Sequence, residues 1–118
     1  MKTINNVRAA KVIRVVNGNT LDMEIDLGLG VVVTRRVDLA RINPLEQFSD
    51  KGDKAKLWMR NCFIGEVPHA IIQFSRHPEE PDRVIAEVWD DLDRNISDYL
   101  IQNNMGELDE NLTVNVLG

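Results

Sequence analysis

Apolar residues recur with two different periods along this chain, and the switches between them set the expected order of elements. From Leu21 to Leu27 the alternation is strict: Leu21, Met23, Ile25 and Leu27 share one face, and Asp22, Glu24 and Asp26 the other. A two-residue period is that of a half-buried strand. Val7–Val16 is dense in β-branched residues, with Arg8, Lys11 and Arg14 interspersed, and reads as a strand preceding it. Asn17-Gly18 between the two is a hairpin signal, because both residues accept positive φ. After the turn Gly28-Leu29-Gly30 a third strand is expected over Val31–Leu39, with Val31, Val33, Arg35, Val37 and Leu39 on one face.

The period then lengthens. Gln47–Asp53 is polar, contains Gly52 and reads as a loop. Asp53 is expected to cap a helix over Lys54–Ile64, ended by Gly65, with Ala55, Leu57, Trp58, Cys62 and Phe63 at roughly helical spacing. Pro68–Ser75 and Arg83–Trp89 return to strand character on either side of a proline-containing acidic loop, Arg76–Asp82. Asn95 or Ser97 caps a second helix running to about Asn104, with Ile96, Tyr99 and Leu100 on one face and Met105-Gly106 at its end. Leu112–Val116 is a candidate edge strand. Three strands, a helix, two strands and a helix predict an α+β, mainly β fold: a five-stranded OB-fold-like barrel with two packed helices, in a single domain over 1–118.

Composition narrows the class without naming an activity. Hydrophobic residues make up 43% of the chain and charged residues 28%, which is ordinary for a globular domain. The chain has no apolar run long enough to span a bilayer, and Met1–Asn6 lacks the apolar stretch of a signal peptide, so a cytoplasmic protein with no membrane partner is expected. Cys62 is the single cysteine and is expected as a buried free thiol. His69 and His77 have no nearby cysteine, and no zinc site is expected. The net charge of −5 hides an asymmetry: residues 1–60 carry 11 Lys/Arg and 7 Asp/Glu, whereas residues 61–118 carry 3 and 12. A basic face for phosphates is therefore expected on the first half alone. Trp58, Phe63, Phe74 and Tyr99 occupy core-type positions, while Phe48 and Trp89 are better placed for exposure and are candidate binding residues.

Four stretches, in order, carry a family signature. Ala10-Lys11-Val12-Ile13-Arg14-Val15-Val16-Asn17-Gly18-Asn19-Thr20 follows the pattern Ala-x-Val-x-x-Val-x-Asp-Gly-Asp-Thr, and Val37-Asp38-Leu39-Ala40-Arg41-Ile42-Asn43-Pro44-Leu45-Glu46 follows Val-Arg-Leu-x-Gly-Ile-Asp-x-Pro-Glu. Glu79-Glu80-Pro81-Asp82-Arg83-Val84-Ile85-Ala86 stands for the pattern Asp-x-x-Gly-Arg-x-Leu-Ala, and Asn95–Gly106 echoes a closing helix Asn-x-x-Leu-Val-x-x-Gly. Together they resemble the staphylococcal nuclease (thermonuclease) family over nearly the whole chain. Active members bind calcium through carboxylates, hold phosphate with two arginines and use a glutamate as general base. The resemblance places the two metal carboxylates on Asn19 and Asn43 and the first arginine on Asp38, while Glu46 and Arg83 retain the glutamate and the second arginine. It also implies that Asn19 and Asn43 face one pocket.

Those substitutions have a chemical meaning. An Asn keeps an oxygen but loses the charge that a hard cation prefers. An Asp in place of Arg turns a phosphate clamp into a repulsive charge. Arg36 and Arg41 are the candidates to replace the lost arginine, and Asp22 or Asp38 to supply a displaced metal ligand. The expected function is thus a catalytically degenerate nuclease-like OB-fold domain that binds a protein or single-stranded nucleic acid, of the kind used as a phage or mobile-element accessory. On that reading no cofactor is expected, and Glu46 and Arg83 persist for the fold, a carboxylate closing a turn and an arginine pairing with it. The alternative is a divergent phosphodiesterase that uses Glu46, Arg83 and calcium.

Overall fold

The computed structural model describes residues 7–44, 49–63 and 69–115. Strand β1 (Val7–Asn17) forms a hairpin with β2 (Thr20–Gly28), which forms a second with β3 (Val31–Leu39). β3 runs parallel to β5 (Arg83–Trp89), β5 antiparallel to β4 (His69–Arg76), and β4 antiparallel to β1. The sheet closes into a barrel in the order β1-β2-β3-β5-β4. Helix α1 (Asp50–Cys62) follows β3, and α2 (Ile96–Gln102) follows β5. The architecture is α+β, mainly β, and OB-fold-like. Among the described residues no helix is long and apolar enough to cross a membrane.

The alternating residues fill the barrel. Leu21, Met23 and Ile25 of β2, Val37 and Leu39 of β3, Ile72 of β4 and Val88 of β5 are all fully buried. Each such side chain contributes about 1.5–3 kcal/mol by leaving water. The alternation fails at the far end of the second hairpin, where Leu27, Val31 and Val32 are exposed. β1 pairs with β2 only as far as Ala10↔Ile25, and β5 joins β3 only from Arg36↔Arg83, so the tip of this hairpin has neither neighbour. Leu29 and Gly30, at φ 56° and 78°, form a type I′ turn there.

The first hairpin closes for a different reason from the one its sequence suggests. Neither Asn17 nor Gly18 has positive φ. Instead the Asn17 side-chain oxygen accepts the Asn19 backbone N–H at 2.9 Å. Gly18 is required by space: a Cβ there would stand 2.8 Å from the carbonyl oxygen of Gly52. The turn packs directly on the first turn of α1.

Helix α1 starts at Asp50 rather than after the expected cap Asp53. Ser49 is the cap, its hydroxyl accepting the Gly52 N–H at 3.2 Å, and Asp50 and Asp53 place negative charge in the first turn. Gly52 lies inside the helix, where it lets the hairpin turn approach. The buried stripe is Gly52, Ala55 and Met59, continued by Phe63, whereas Leu57, assigned inward from its spacing, is 61% exposed. Trp58 and Cys62 are half-buried at its flank. Trp58 stacks on Tyr99 of α2 with ring centroids 4.0 Å apart, and the Arg94 guanidinium lies 5.4 Å from the Trp58 centroid. Burial pushes the Cys62 thiol pKa up, against the nearby Arg94. Gly65 lies outside the described residues.

Asn95, not Ser97, caps α2, its side chain accepting the Asp98 N–H at 2.9 Å. Ser97 is buried and donates to the Ala40 carbonyl at 2.7 Å. The chain then returns along the segment after β3: the Asn43 N–H donates to Glu107 O, and the Arg41 N–H to Leu112 O. Leu112 packs with Ala40 and Ile85 in a small second cluster. The described part of Leu112–Val116 forms no strand, because its start is held in this turn.

Candidate functional site

Four of the positions singled out from the sequence meet. Asn19 in the β1–β2 turn, Asp38 near the end of β3, Asn43 beyond it and Arg83 at the start of β5 line one open pocket of about 390 Å³. Glu46 and Phe48 lie outside the described residues.

Asp38 is the centre of this pocket and is only 7% exposed. It stands directly opposite Thr20 on β2, and its Oδ1 accepts the Thr20 hydroxyl at 2.8 Å. Arg83 donates through Nη1 to both carboxylate oxygens at 3.3 Å. His77 brings Nε2 to within 3.1 Å of Oδ2. The imidazole is oriented by its own loop: Nδ1 accepts the N–H groups of Glu79 and Glu80, each at 3.0 Å, which leaves the ring proton on Nε2, facing Asp38. Three donors from three different elements thus converge on one buried carboxylate.

Arg83 therefore pairs with Asp38. β5 lies parallel to β3, which sets Arg83 beside Arg36 and close to Asp38, while the Glu46 of the expected Arg83–Glu46 pairing lies outside the described residues. His77 was passed over in the sequence, where only its lack of cysteine neighbours was weighed. Its local signal was the following Pro78-Glu79-Glu80, a turn whose amides an imidazole nitrogen can cap. Its partner Asp38 sits in a strand far earlier in the chain.

Asn19 is nearly buried, and its carbonyl accepts the Leu39 N–H at 2.8 Å. Asn43 is half-buried beside the returning chain. The pocket also carries Asp109 and the exposed Glu79 and Glu80. Where the resemblance implies carboxylates for a cation there are two neutral amides. Where it implies an arginine for phosphate there is an acid that engages the remaining arginine. Among the described residues no three His, Cys, Asp or Glu side chains are grouped to hold a metal ion.

The other candidates lie elsewhere. Arg41, at φ 65°, donates through Nε and Nη2 to Glu87 at 2.7 and 2.8 Å and through Nη1 to Asp98 at 2.8 Å. The Glu87 carboxylate, with Asp98 behind it, raises the arginine pKa above its ordinary value. Arg41 ties α2 to β5 and lies outside the Asp38 pocket. Trp89 is half-buried at the end of β5, where it bridges to Asn95, and is not an exposed stacking platform. Arg36 does not line the Asp38 pocket. It pairs with Asp22 at 3.0 Å on the outer face, and Arg36, with Arg14 adding to it, lowers the Asp22 pKa. Asp22 is thus taken up by two arginines rather than offered to a metal.

The chain matches none of the known protein-family models, and no curated protein matches it.

Proposed function

We propose that the chain is a catalytically degenerate, nuclease-like OB-fold domain that serves as a binding module for a protein or single-stranded nucleic acid. The observation that carries this reading is the saturation of Asp38 by Thr20, His77 and Arg83. A phosphoryl-transfer site needs cationic groups free to meet the charge that develops on phosphate. Here the one arginine retained in the pocket is turned onto an internal carboxylate. The two amides, Asn19 and Asn43, supply no charge to a divalent cation. On this reading the domain works without a cofactor, and its nuclease-like features are features of the scaffold.

The test is incubation of the purified protein with single-stranded DNA and RNA, with and without millimolar calcium. No cleavage is expected, and calcium is expected to leave the melting temperature unchanged. Cleavage that requires calcium and disappears in Glu46→Ala would replace this reading with a divergent phosphodiesterase.

A further inference from the structure

The outer face of the barrel carries a row of charge that meets the Asp38 pocket only at Arg83. Arg14 on β1, Asp22 on β2, Arg36 on β3 and Arg83 on β5 stand directly opposite one another across four neighbouring strands. Strands lie about 4.8 Å apart, so the row extends about 14 Å around the barrel. Its single acid, Asp22, is shared by Arg14 at 3.1 Å and Arg36 at 3.0 Å.

Each end of the row opens into a basic hollow. Beside Arg14, Lys56 and Arg60 of α1 rise over an apolar floor that includes Val12 and Phe63, in a space of about 390 Å³. Beside Arg36 and Arg83, a hollow of about 580 Å³ is also lined by Arg35 and Arg76, with Asp82 as its one acid. Arg35 and Arg76 are exposed and make no ion pair among the described residues. Residues 61–118 contain only 3 basic residues against 12 acidic ones, yet two of the three, Arg76 and Arg83, stand at this hollow. The placement opposes the bulk charge of that half.

We infer that this row and its two hollows bind the phosphate backbone of single-stranded nucleic acid. The inference rests on the binding-module reading and names its partner. Guanidinium groups match phosphate oxygens as planar donor forks. A ligand that reaches both hollows has to be an extended polyanion rather than a single phosphate. It also has to follow a curved surface, which a flexible strand does and a stiff duplex does not. The described lining offers no exposed aromatic ring, so recognition is by backbone, independent of sequence and strongly salt-dependent.

Fluorescence anisotropy of labelled oligothymidylates in EDTA, over a salt series, tests this. The Arg35→Ala/Arg76→Ala double variant is expected to bind about tenfold more weakly, with a log–log salt slope smaller by about 1.4 for two lost phosphate contacts. Asp22→Asn, which frees Arg14 and Arg36 from their counter-charge, is expected to bind more tightly. Lys54→Ala, exposed on α1 away from both hollows, is expected to match the wild type, and longer oligonucleotides are expected to bind better than a tetramer. Absence of wild-type binding, unchanged binding in the double variant while its melting temperature is unchanged, or equal competition by polyglutamate would each overturn the inference. The cleavage assay reads the preceding proposal separately: calcium-dependent cleavage would sink that one, while binding that does not depend on the arginines sinks only this one.

Discussion

The Asp38 pocket and the hollow at the β3–β5 junction share Arg83, yet they hold charge in opposite ways. In the pocket an acid only 7% exposed meets an arginine, an imidazole N–H and a hydroxyl, each from a different element. In the hollow Arg35 and Arg76 are exposed and meet no acid among the described residues, Arg35 donating only to the Thr34 carbonyl at 2.9 Å. The comparison teaches that residue type alone does not decide whether a charged group is available. What decides it is the set of groups that the barrel brings opposite.

The sharpest way to break this comparison is to remove the acid from the pocket. Asp38→Ala leaves the Arg83 guanidinium, His77 Nε2–H and Thr20 hydroxyl without their shared acceptor. Losing one partner of a buried, hydrogen-bonded charge network is expected to cost about 3 kcal/mol, read as a lower midpoint in urea unfolding. A loss below about 0.5 kcal/mol would mean that the pocket, like the hollow, is not part of what holds the fold together.

Asp22 is the intermediate case, flanked by two arginines and with 18% of its side chain exposed. Asp22→Asn is expected to cost less than about 1 kcal/mol at neutral pH. The sign with pH is fixed, because the Arg36 and Arg14 guanidinium groups lower its folded pKa. The contribution is full above the ordinary carboxylate value of about 4 and is lost as pH falls through the lower folded value. Wild type and variant are therefore expected to converge in stability in acid, and a difference that grows below pH 4 would contradict the pairing.

The smallest effect belongs to the hollow. Arg35→Ala and Arg76→Ala are expected to change stability by no more than about 0.5 kcal/mol each, in the same unfolding experiment, because neither removes an ion pair or a buried contact among the described residues. A larger loss would show that these arginines, too, are engaged by the fold.

Much of this architecture was legible in local pattern. The clean alternation over Leu21–Leu27 marked β2, the turn Gly28-Leu29-Gly30 marked the second hairpin, and Arg83–Trp89 was bounded as the structure has it. Asn19, Asp38, Asn43 and Arg83 were singled out before their convergence was visible. Other features were not legible, because each depends on a neighbour distant in sequence. Leu57 has helical spacing but faces solvent, and Met59 is buried instead, since the barrel surface chooses which stripe of α1 it covers. Arg41 resembled a surface cation until Glu87 and Asp98 were set against it. His77 had no visible role until the β4–β5 loop carried it over Asp38.

The sequence by itself determined where this chain extends, turns and coils, because side-chain periodicity, caps and glycine-containing turns act over a few residues. It also determined that the pocket holds two amides, Asn19 and Asn43, since that is residue identity alone. Only the tertiary structure decided that Gly18 answers to Gly52, that Asp38 is hydrogen-bonded from three sides, and that Arg14, Arg36 and Arg83 stand in one row. The physical reason is barrel closure. The register between strands fixes lateral neighbours, and no local stretch of sequence encodes which distant residue will lie opposite.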